Sequence, residues 1–455
     1  MLHKSEWTIL CNISGEIMKI KIFTFGCKVN QAESSGLQQL FSAQGMEQAD
    51  RVEDADLLIV NSCAVTDESV RKVRQLLRSI QRKNPDALIA LTGCWPQAFP
   101  DDDFCGADYV TGTKDRDALL QWAVQCMKLR PLASETCITP YRSAKDVFSP
   151  LPCADTTKTR AFLKIQDGCN QFCSYCIIPF SRGRCRSMPL ERLETEVENL
   201  AQQGFREIVL TGINLGFYGT DIGCDLADAV EICAAHPKIL RVRLGSLEPE
   251  RITNEMLGRF AACEKFCPQF HLSLQSGSDV ILKRMNRRYT AAEYEALAAA
   301  IRSLFPDAAL TTDVIVGFPS EHEAEYQETV RFVRKIGFAK VHVFPYSKRA
   351  GTKAADMEDQ IPQTVKIQRS ADLTRIANAL RRSHLSKYVG RTLCVLVEGK
   401  KRQNAQTFFQ GHTPDGTLVK IFTENMQKGL RNSVICVTID SYEDDCCVGR
   451  PFVQS

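Results

Sequence analysis

At 455 residues, 44% hydrophobic and 24% charged, the chain has the composition of an ordinary folded protein and the length for two to four domains. A formal net charge of +3 is too small to argue alone for a nucleic-acid ligand. No apolar run approaches the roughly 18–20 residues of a membrane helix, and the first 19 residues lack the apolar stretch of a signal peptide, so the chain reads as cytoplasmic with no membrane partner.

Met18 stands directly before the first strand-like run, so that residues 1–17 read either as an extension or as a start placed upstream of the fold. From 19 to 127, strand-like IKIFTF, LLIV and ALIALT alternate with helical AESSGLQQLF and VRKVRQLLRSIQ, which predicts a parallel α/β domain. Each strand runs into a turn carrying a cysteine: GCKVN at Cys27, NSCAVT at Cys63 and TGCWPQ at Cys94. Ligands bind at the strand carboxyl ends of such sheets, so the three thiols are expected to converge.

Residues 128–158, with Pro131, Pro140, Pro150 and Pro152, read as a connector. Between 159 and 366 six strand signals follow, AFLKIQ, EIVLTG, RVRLGS, FHLSLQ, TTDVIVG and KVHVFPY, each but the last leading into a helical segment. Six such units predict an incomplete (β/α)6 barrel. Residues 367–389 read as a basic helical linker, and the short β-like runs of 390–455 as a small β-barrel. That tail sets Lys400, Lys401, Arg402 and Lys420 beside Phe408 and Phe409, a mixture suited to RNA phosphates and base stacking, or else a structural module with core phenylalanines.

Twenty cysteines in a long chain without an export signal point to metal ligation, catalysis or burial rather than disulfides. Most, among them Cys233, Cys394 and Cys436, are expected as small core residues. The informative set is DGCNQFCSYCIIP, where Cys169, Cys173 and Cys176 follow a barrel strand in a C-x3-C-x2-C spacing. Loops at barrel-strand carboxyl ends hold active sites. Three thiolates leave one iron of a 4Fe-4S cluster without a protein ligand. A structural zinc would need a fourth ligand close by, and Cys185 is nine residues on.

The loop resembles the cluster loop of radical S-adenosylmethionine enzymes. With GCKVN, VNSCAVT, LTGC, LTGINLGFYG, HLSLQSGSDVILKRMNRRYT, TTDVIVGFPSE and HVFPYSKRAGT, the chain from about residue 19 onward resembles the methylthiotransferase family, its tail the family's RNA-binding TRAM domain. GCKVN looks most like the branch acting on N6-threonylcarbamoyladenosine at tRNA position 37, in the anticodon loop. Isopentenyladenosine tRNA, a ribosomal-protein aspartate, or a non-catalytic RNA-binding iron-sulfur role are the rival readings. Ser320 departs from the glycine usual in GFPGE.

The resemblance implies two 4Fe-4S clusters, S-adenosyl-L-methionine, an external electron donor and a sulfur donor. Cys169, Cys173 and Cys176 would hold the cluster that binds and cleaves S-adenosylmethionine, and Cys27, Cys63 and Cys94 the cluster on which sulfur is carried. Candidate cofactor contacts at later strand ends are Thr211, Gly212, Asn214, Gln275, Ser276, Asp313, Val316 and Gly317. Arg182 and Arg184 are candidates for a cofactor carboxylate or tRNA phosphate. His271 and His342 are expected to pack rather than react.

Overall fold

The computed structural model describes residues 17–128, 133–141, 146–153, 159–403, 406–423 and 430–452. The extension question at residues 1–16 and Pro131 of the connector lie outside them. Met18 itself is buried, and its carbonyl accepts from the Glu47 amide at 3.0 Å.

The first domain runs β1 (Lys19–Thr24), α1 (Lys28–Ala43), β2 (Glu47–Gln48), β3 (Leu57–Ser62), α2 (Asp67–Lys83), β4 (Leu88–Gly93), α3 (Cys94–Ala98), β5 (Tyr109–Thr111), α4 (Arg116–Cys126) and β6 (Glu135–Cys137). All six strands pair in parallel in the order β2-β1-β3-β4-β5-β6. Central β3 and β4 are buried at every position because helices cover both faces. Leu57, Ile59 and Ala90 face Leu37, Phe41 and Trp122, and Leu58, Val60 and Leu91 face Val73, Leu77 and Trp95. Edge strand β6 falls in the stretch read as connector, so the sheet extends past residue 127.

The second unit runs β7 (Arg160–Lys164), β8 (Gln166–Asp167), α5 (Ile178–Arg182), β9 (Arg186–Ser187), α6 (Leu190–Gln202), β10 (Glu207–Thr211), α7 (Leu226–Ala235), β11 (Arg241–Leu244), β12 (Ser246–Leu247), α8 (Asn254–Ala262), β13 (Gln269–Leu272), α9 (Asp279–Arg284), α10 (Ala291–Leu304), β14 (Ala309–Val316), α11 (Glu323–Ile336), β15 (Lys340–Pro345) and α12 (Gln363–Ser386). β7, β10 and β11 pair in parallel, and Gly245 bends the chain so that β12 continues β11 onto β13, β14 and β15. This is the expected open six-stranded barrel, with one correction. The helix read as a linker, α12, packs on β15 and completes the sixth unit, burying Leu373 and Ala377 with the barrel core. Ser320 stands at φ +60°, the left-handed conformation that explains a glycine preference there.

The tail is a closed barrel, β16 (Thr392–Gln403), β17 (Gln406–His412), β18 (Leu418–Ile421), β19 (Val434–Tyr442) and β20 (Cys447–Pro451), in the order β16-β17-β18-β20-β19. It docks on the amino ends of the larger barrel's strands. Arg241 donates to the carbonyls of His412 (2.7 Å) and Cys394 (3.0 Å), Arg243 to that of Pro414 (2.8 Å), and Arg160 pairs with Glu398 (2.8 Å). Of the two readings of the tail's phenylalanines, core packing is the one found: Phe408 and Phe409 are buried, under Lys420 and Lys400, so neither ring is open to a base. One expectation is corrected. Cys394 and Cys436 are exposed and face each other across β16 and β19, with sulfurs 4.0 Å apart, while Cys233 is buried as expected. Among the described residues no helix is long and apolar enough to cross a membrane.

Candidate active site

The strands carrying Cys27, Cys63 and Cys94 are neighbours in the sheet, and their three turns meet at its carboxyl edge. Gly26, at φ +103°, lets the first turn close on the second: a Cβ there would lie 2.9 Å from the Cys63 Cβ. Gly93, at φ +105°, does the same for the third, where a Cβ would lie 2.5 Å from the Ser62 carbonyl oxygen. Asn30 ties the first two, donating to the carbonyls of Phe25 (2.8 Å) and Ser62 (3.0 Å). Burial pushes the Cys94 thiol up to about 12 and also raises Cys63, and charge on the neighbouring thiols adds to both.

The second triad wraps through the loop after β7. The Cys169 sulfur accepts from the Gln171 amide (3.4 Å) and Asn214 Nδ2 (3.6 Å), and the Cys173 sulfur from Arg287 (3.2 Å). Burial pushes Cys169 up to about 11 and raises Cys173 and Cys176, so an arriving metal would have to displace their protons. Gln166 brackets the loop, donating to the Gly168 carbonyl (2.8 Å) and accepting from the Asn214 amide (2.7 Å).

The two triads abut. Cys94 packs with Ala64 and Ile177, next to Cys176, and Arg182 from α5 donates to the Cys94 sulfur at 3.3 Å. The rest of the Arg182 guanidinium grips Glu33 of α1 (2.8 and 2.9 Å), Asp167 (3.1 Å) and Asn30 (2.8 Å). Arg182 is completely buried, so it faces the first triad and not a phosphate surface. Burial works to raise Glu33, but Arg116, Arg182 and Lys164 outweigh it and hold it well below the usual range; Lys164 and Arg182 do the same for Asp167. Depressed carboxylates stabilise the fold above their unfolded range and lose that stabilisation as pH falls. The melting temperature is therefore expected to fall from about pH 5 downward, more shallowly in a Glu33→Gln variant; equal slopes in thermal melts would contradict this.

The remaining candidates divide. The Thr211 carbonyl accepts from the Ile165 amide (2.9 Å), Gly212 backs onto Gln166, and Asn214 reaches Cys169. Gln275 is half-buried at φ +65° and Asp313 faces the barrel interior. Ser276 instead bonds Thr329 of α11 (3.1 Å), and Val316 is buried in the apolar core, because odd and even positions of β14 face opposite sides. The Gly317 amide is used by Glu321 (2.5 Å), and the Arg184 side chain is exposed. His271 and His342, expected to pack, line the interior: His271 lies 3.3 Å from the Asp313 carboxylate, and His342 is exposed.

Sequence reasoning missed Glu33, Asp167, Glu248 and the role of Arg287. Glu33 had a signal, since it sits between Val29 and Leu37 on the buried stripe of α1. Glu248 contacts Arg287 behind Cys173, and burial pushes its carboxyl up to about 7.

Whether these residues fit an iron-sulfur cluster and S-adenosylmethionine can be judged from their donors. Three thiols on one loop, Cys169 and Cys173 buried with N–H groups aimed at their sulfurs and Cys176 half-buried, suit a thiolate-bound cluster. Around Cys169, the acceptor oxygens Asn214 Oδ1, Gln171 Oε1 and Glu250 Oε2 are buried without a donor among the described residues, which suits a cationic cofactor such as a sulfonium. Among the described residues no three His, Cys, Asp or Glu side chains close on one point as a single ion requires; a four-iron cube holds its thiolates at separate corners.

The comparisons agree. Residues 163–333 match the radical SAM superfamily and residues 19–110 an uncharacterized protein family, UPF0004. The chain is 38% identical over 415 residues, 90% of this chain and 91% of the relative, to the threonylcarbamoyladenosine tRNA methylthiotransferase MtaB of Bacillus subtilis (strain 168). The MtaB of Thermotoga maritima is 37% identical over 83% of this chain and 86% of its own. The tRNA-2-methylthio-N(6)-dimethylallyladenosine synthase of Symbiobacterium thermophilum is 36% identical over 92% of each. A solved radical S-adenosylmethionine methyltransferase, TsrM from Kitasatospora setae, shares the fold at TM-score 0.53 and 14% identity, over 74% of this chain and 77% of that one. Fold and cluster loop thus define a radical S-adenosylmethionine transferase. The chain belongs, more particularly, to the methylthiotransferase family.

Proposed function

We propose that the enzyme converts N6-threonylcarbamoyladenosine at tRNA position 37 to its 2-methylthio derivative, using two 4Fe-4S clusters and two molecules of S-adenosylmethionine. The observation that carries this reading is the abutment of the two cysteine triads through Cys94, Ile177 and Arg182. The reaction replaces an unactivated C–H bond, which no side chain breaks; a bound cluster with an open iron supplies the radical chemistry.

Cys169, Cys173 and Cys176 would hold the cluster at which S-adenosylmethionine binds, with Asn214, Gln171 and Arg287 orienting the sulfurs. Cys27, Cys63 and Cys94 would hold the second, with Arg182 fixing Cys94. The tail would grip RNA through the exposed Lys400, Lys401 and Arg402 of β16. An external electron donor and a sulfur donor complete the reaction.

The test is anaerobic reconstitution with reductant, sulfide, S-adenosylmethionine and tRNA carrying threonylcarbamoyladenosine, followed by mass spectrometry of the nucleosides. The 2-methylthio product is expected. Product only on isopentenyladenosine tRNA would overturn the substrate, and cofactor cleavage with product on neither would point to a protein substrate. Cys63→Ala is expected to keep some cofactor cleavage while losing the methylthio product; normal product from it would end the sulfur-carrier assignment.

A further inference from the structure

The tail barrel closes along the pairing of β16 with β19, and Cys394 and Cys436 stand opposite each other on that seam. At one end of the ladder the Val397 amide donates to the Ser433 carbonyl (2.9 Å), and at the other the Ile439 amide donates to the Arg391 carbonyl (2.9 Å). The odd positions of β16 therefore hold the hydrogen-bonded pairs, and the even positions, Cys394 among them, the non-hydrogen-bonded ones. The carbonyls of the two cysteines agree with this, because both turn away from the seam. That of Cys436 accepts from the Phe452 amide (2.9 Å) on the β20 side, and that of Cys394 from Arg241 of the larger barrel (3.0 Å).

Side chains approach most closely at a non-hydrogen-bonded pair, where the Cα atoms lie about 4.5 Å apart. That falls within the roughly 4.4–6.8 Å that a disulfide spans. The two sulfurs are 4.0 Å apart, so a turn of the side chains, with no shift of the strands, brings them to bonding distance. Both thiols lie on the outer face of the tail and are exposed, while the next residues along, Val395 and Val437, point into its core. Packing gives no reason for a cysteine at either position; Cys447 of the same barrel, completely buried, is what a packing cysteine looks like. Among the described residues the other exposed cysteine is Cys27, which belongs to the first triad.

We propose that Cys394 and Cys436 form a redox modification site, a dithiol that exchanges with a low-molecular-weight disulfide and closes into a cross-strand bond stapling the seam of the tail barrel. One thiolate attacks a sulfur of the small disulfide and expels its first half as a thiol. The second cysteine then attacks the resulting mixed disulfide and expels the other half. The protein gives up two protons and two electrons, and the small disulfide takes them up as two thiols. The bond joins residues 42 apart in the chain, with β17 and β18 between them, so it closes a large loop of the unfolded tail and opposes parting of the seam. In a reducing thiol pool the pair stays open; it closes as the pool turns oxidising.

The test equilibrates the reconstituted full chain, without oxygen, in glutathione buffers running from fully reduced to fully oxidised. Each sample is quenched with acid and an alkylating agent and mapped by peptide mass spectrometry. A peptide pair joined through Cys394 and Cys436 is expected to appear as the buffer becomes oxidising and to vanish on adding dithiothreitol, while the buried Cys446 and Cys447 stay thiols. In Cys394→Ser, Cys436 is expected to carry glutathione and no cross-link, and Cys436→Ser should give the reciprocal result. Val395 and Val437, whose amides donate across the seam, report the staple: their hydrogen exchange should slow about a hundredfold in the oxidised native chain and stay unchanged in either serine variant. Thiols that remain free in every buffer, glutathione on each cysteine with no bond between them, or a bond formed without slower exchange at the seam would overturn the assignment.

Discussion

Replacing Cys173 with alanine is expected to reduce reductive cleavage of S-adenosylmethionine to background and to leave iron at the first triad. Cys173 is the central thiol of its loop, 9% exposed, and its sulfur accepts from Arg287. On the proposed assignment its loss would leave two thiolates for a cluster that takes three. Cys185 is the nearest later cysteine in sequence, but its sulfur already accepts from Gln166 at 3.3 Å. The first triad lies on other strands and keeps its ligands. Chromatography of deoxyadenosine and iron analysis of the variant check both halves; cleavage at the native rate would remove Cys173 from the cluster.

Arg182→Met is expected to destabilise the protein by about 3 kcal/mol, the lower end of the cost of breaking a buried ion pair by deleting one member. The lower end applies because Glu33 keeps Arg116 (2.6 Å) and Lys164 (2.7 Å), and Asp167 keeps Lys164 (2.6 Å). Methionine fills much of the volume but leaves Asn30 Oδ1 and one Glu33 oxygen short of donors. At roughly 2–4 °C per kcal/mol for a domain of this size, the melting temperature should fall by about 10 °C. A shift under one degree would show that the bridge adds nothing net to stability. The same variant should weaken iron retention at the first triad, because the donor to Cys94 is lost.

How much of this was legible in the sequence depends on the range of the forces involved. The turns at Cys27, Cys63, Cys94 and Cys169 could be found because a strand-like run ending in a cysteine, preceded by glycine at three of the four, is local information. Strand β6, three residues with two exposed, carried no periodic signal and exists because β5 offers it an edge. Helix α12 was misread because its arginines hide the stripe Leu373, Ile376, Ala377 and Leu380. The stretch LCVLV, residues 393–397, is apolar throughout, so nothing in it could say that Cys394 faces outward. Glu33 and Arg182 lie 149 residues apart, and no local pattern foretells that pairing. Val316 was misplaced within a correctly found strand, since which alternate residues face inward is set by packing against helices.

The docking of the tail on the amino ends of the strands puts it at the opposite pole of the larger barrel from the thiols. The longest barrel strand, β14 with eight residues, rises about 25 Å. Any RNA that touches both the tail and the thiols must therefore run the height of the barrel along its flank. If the tail grips RNA as proposed, the barrel acts as a spacer: a folded stem-loop would reach both poles, and a free nucleoside, or a fragment shorter than that span, would be held at one pole only.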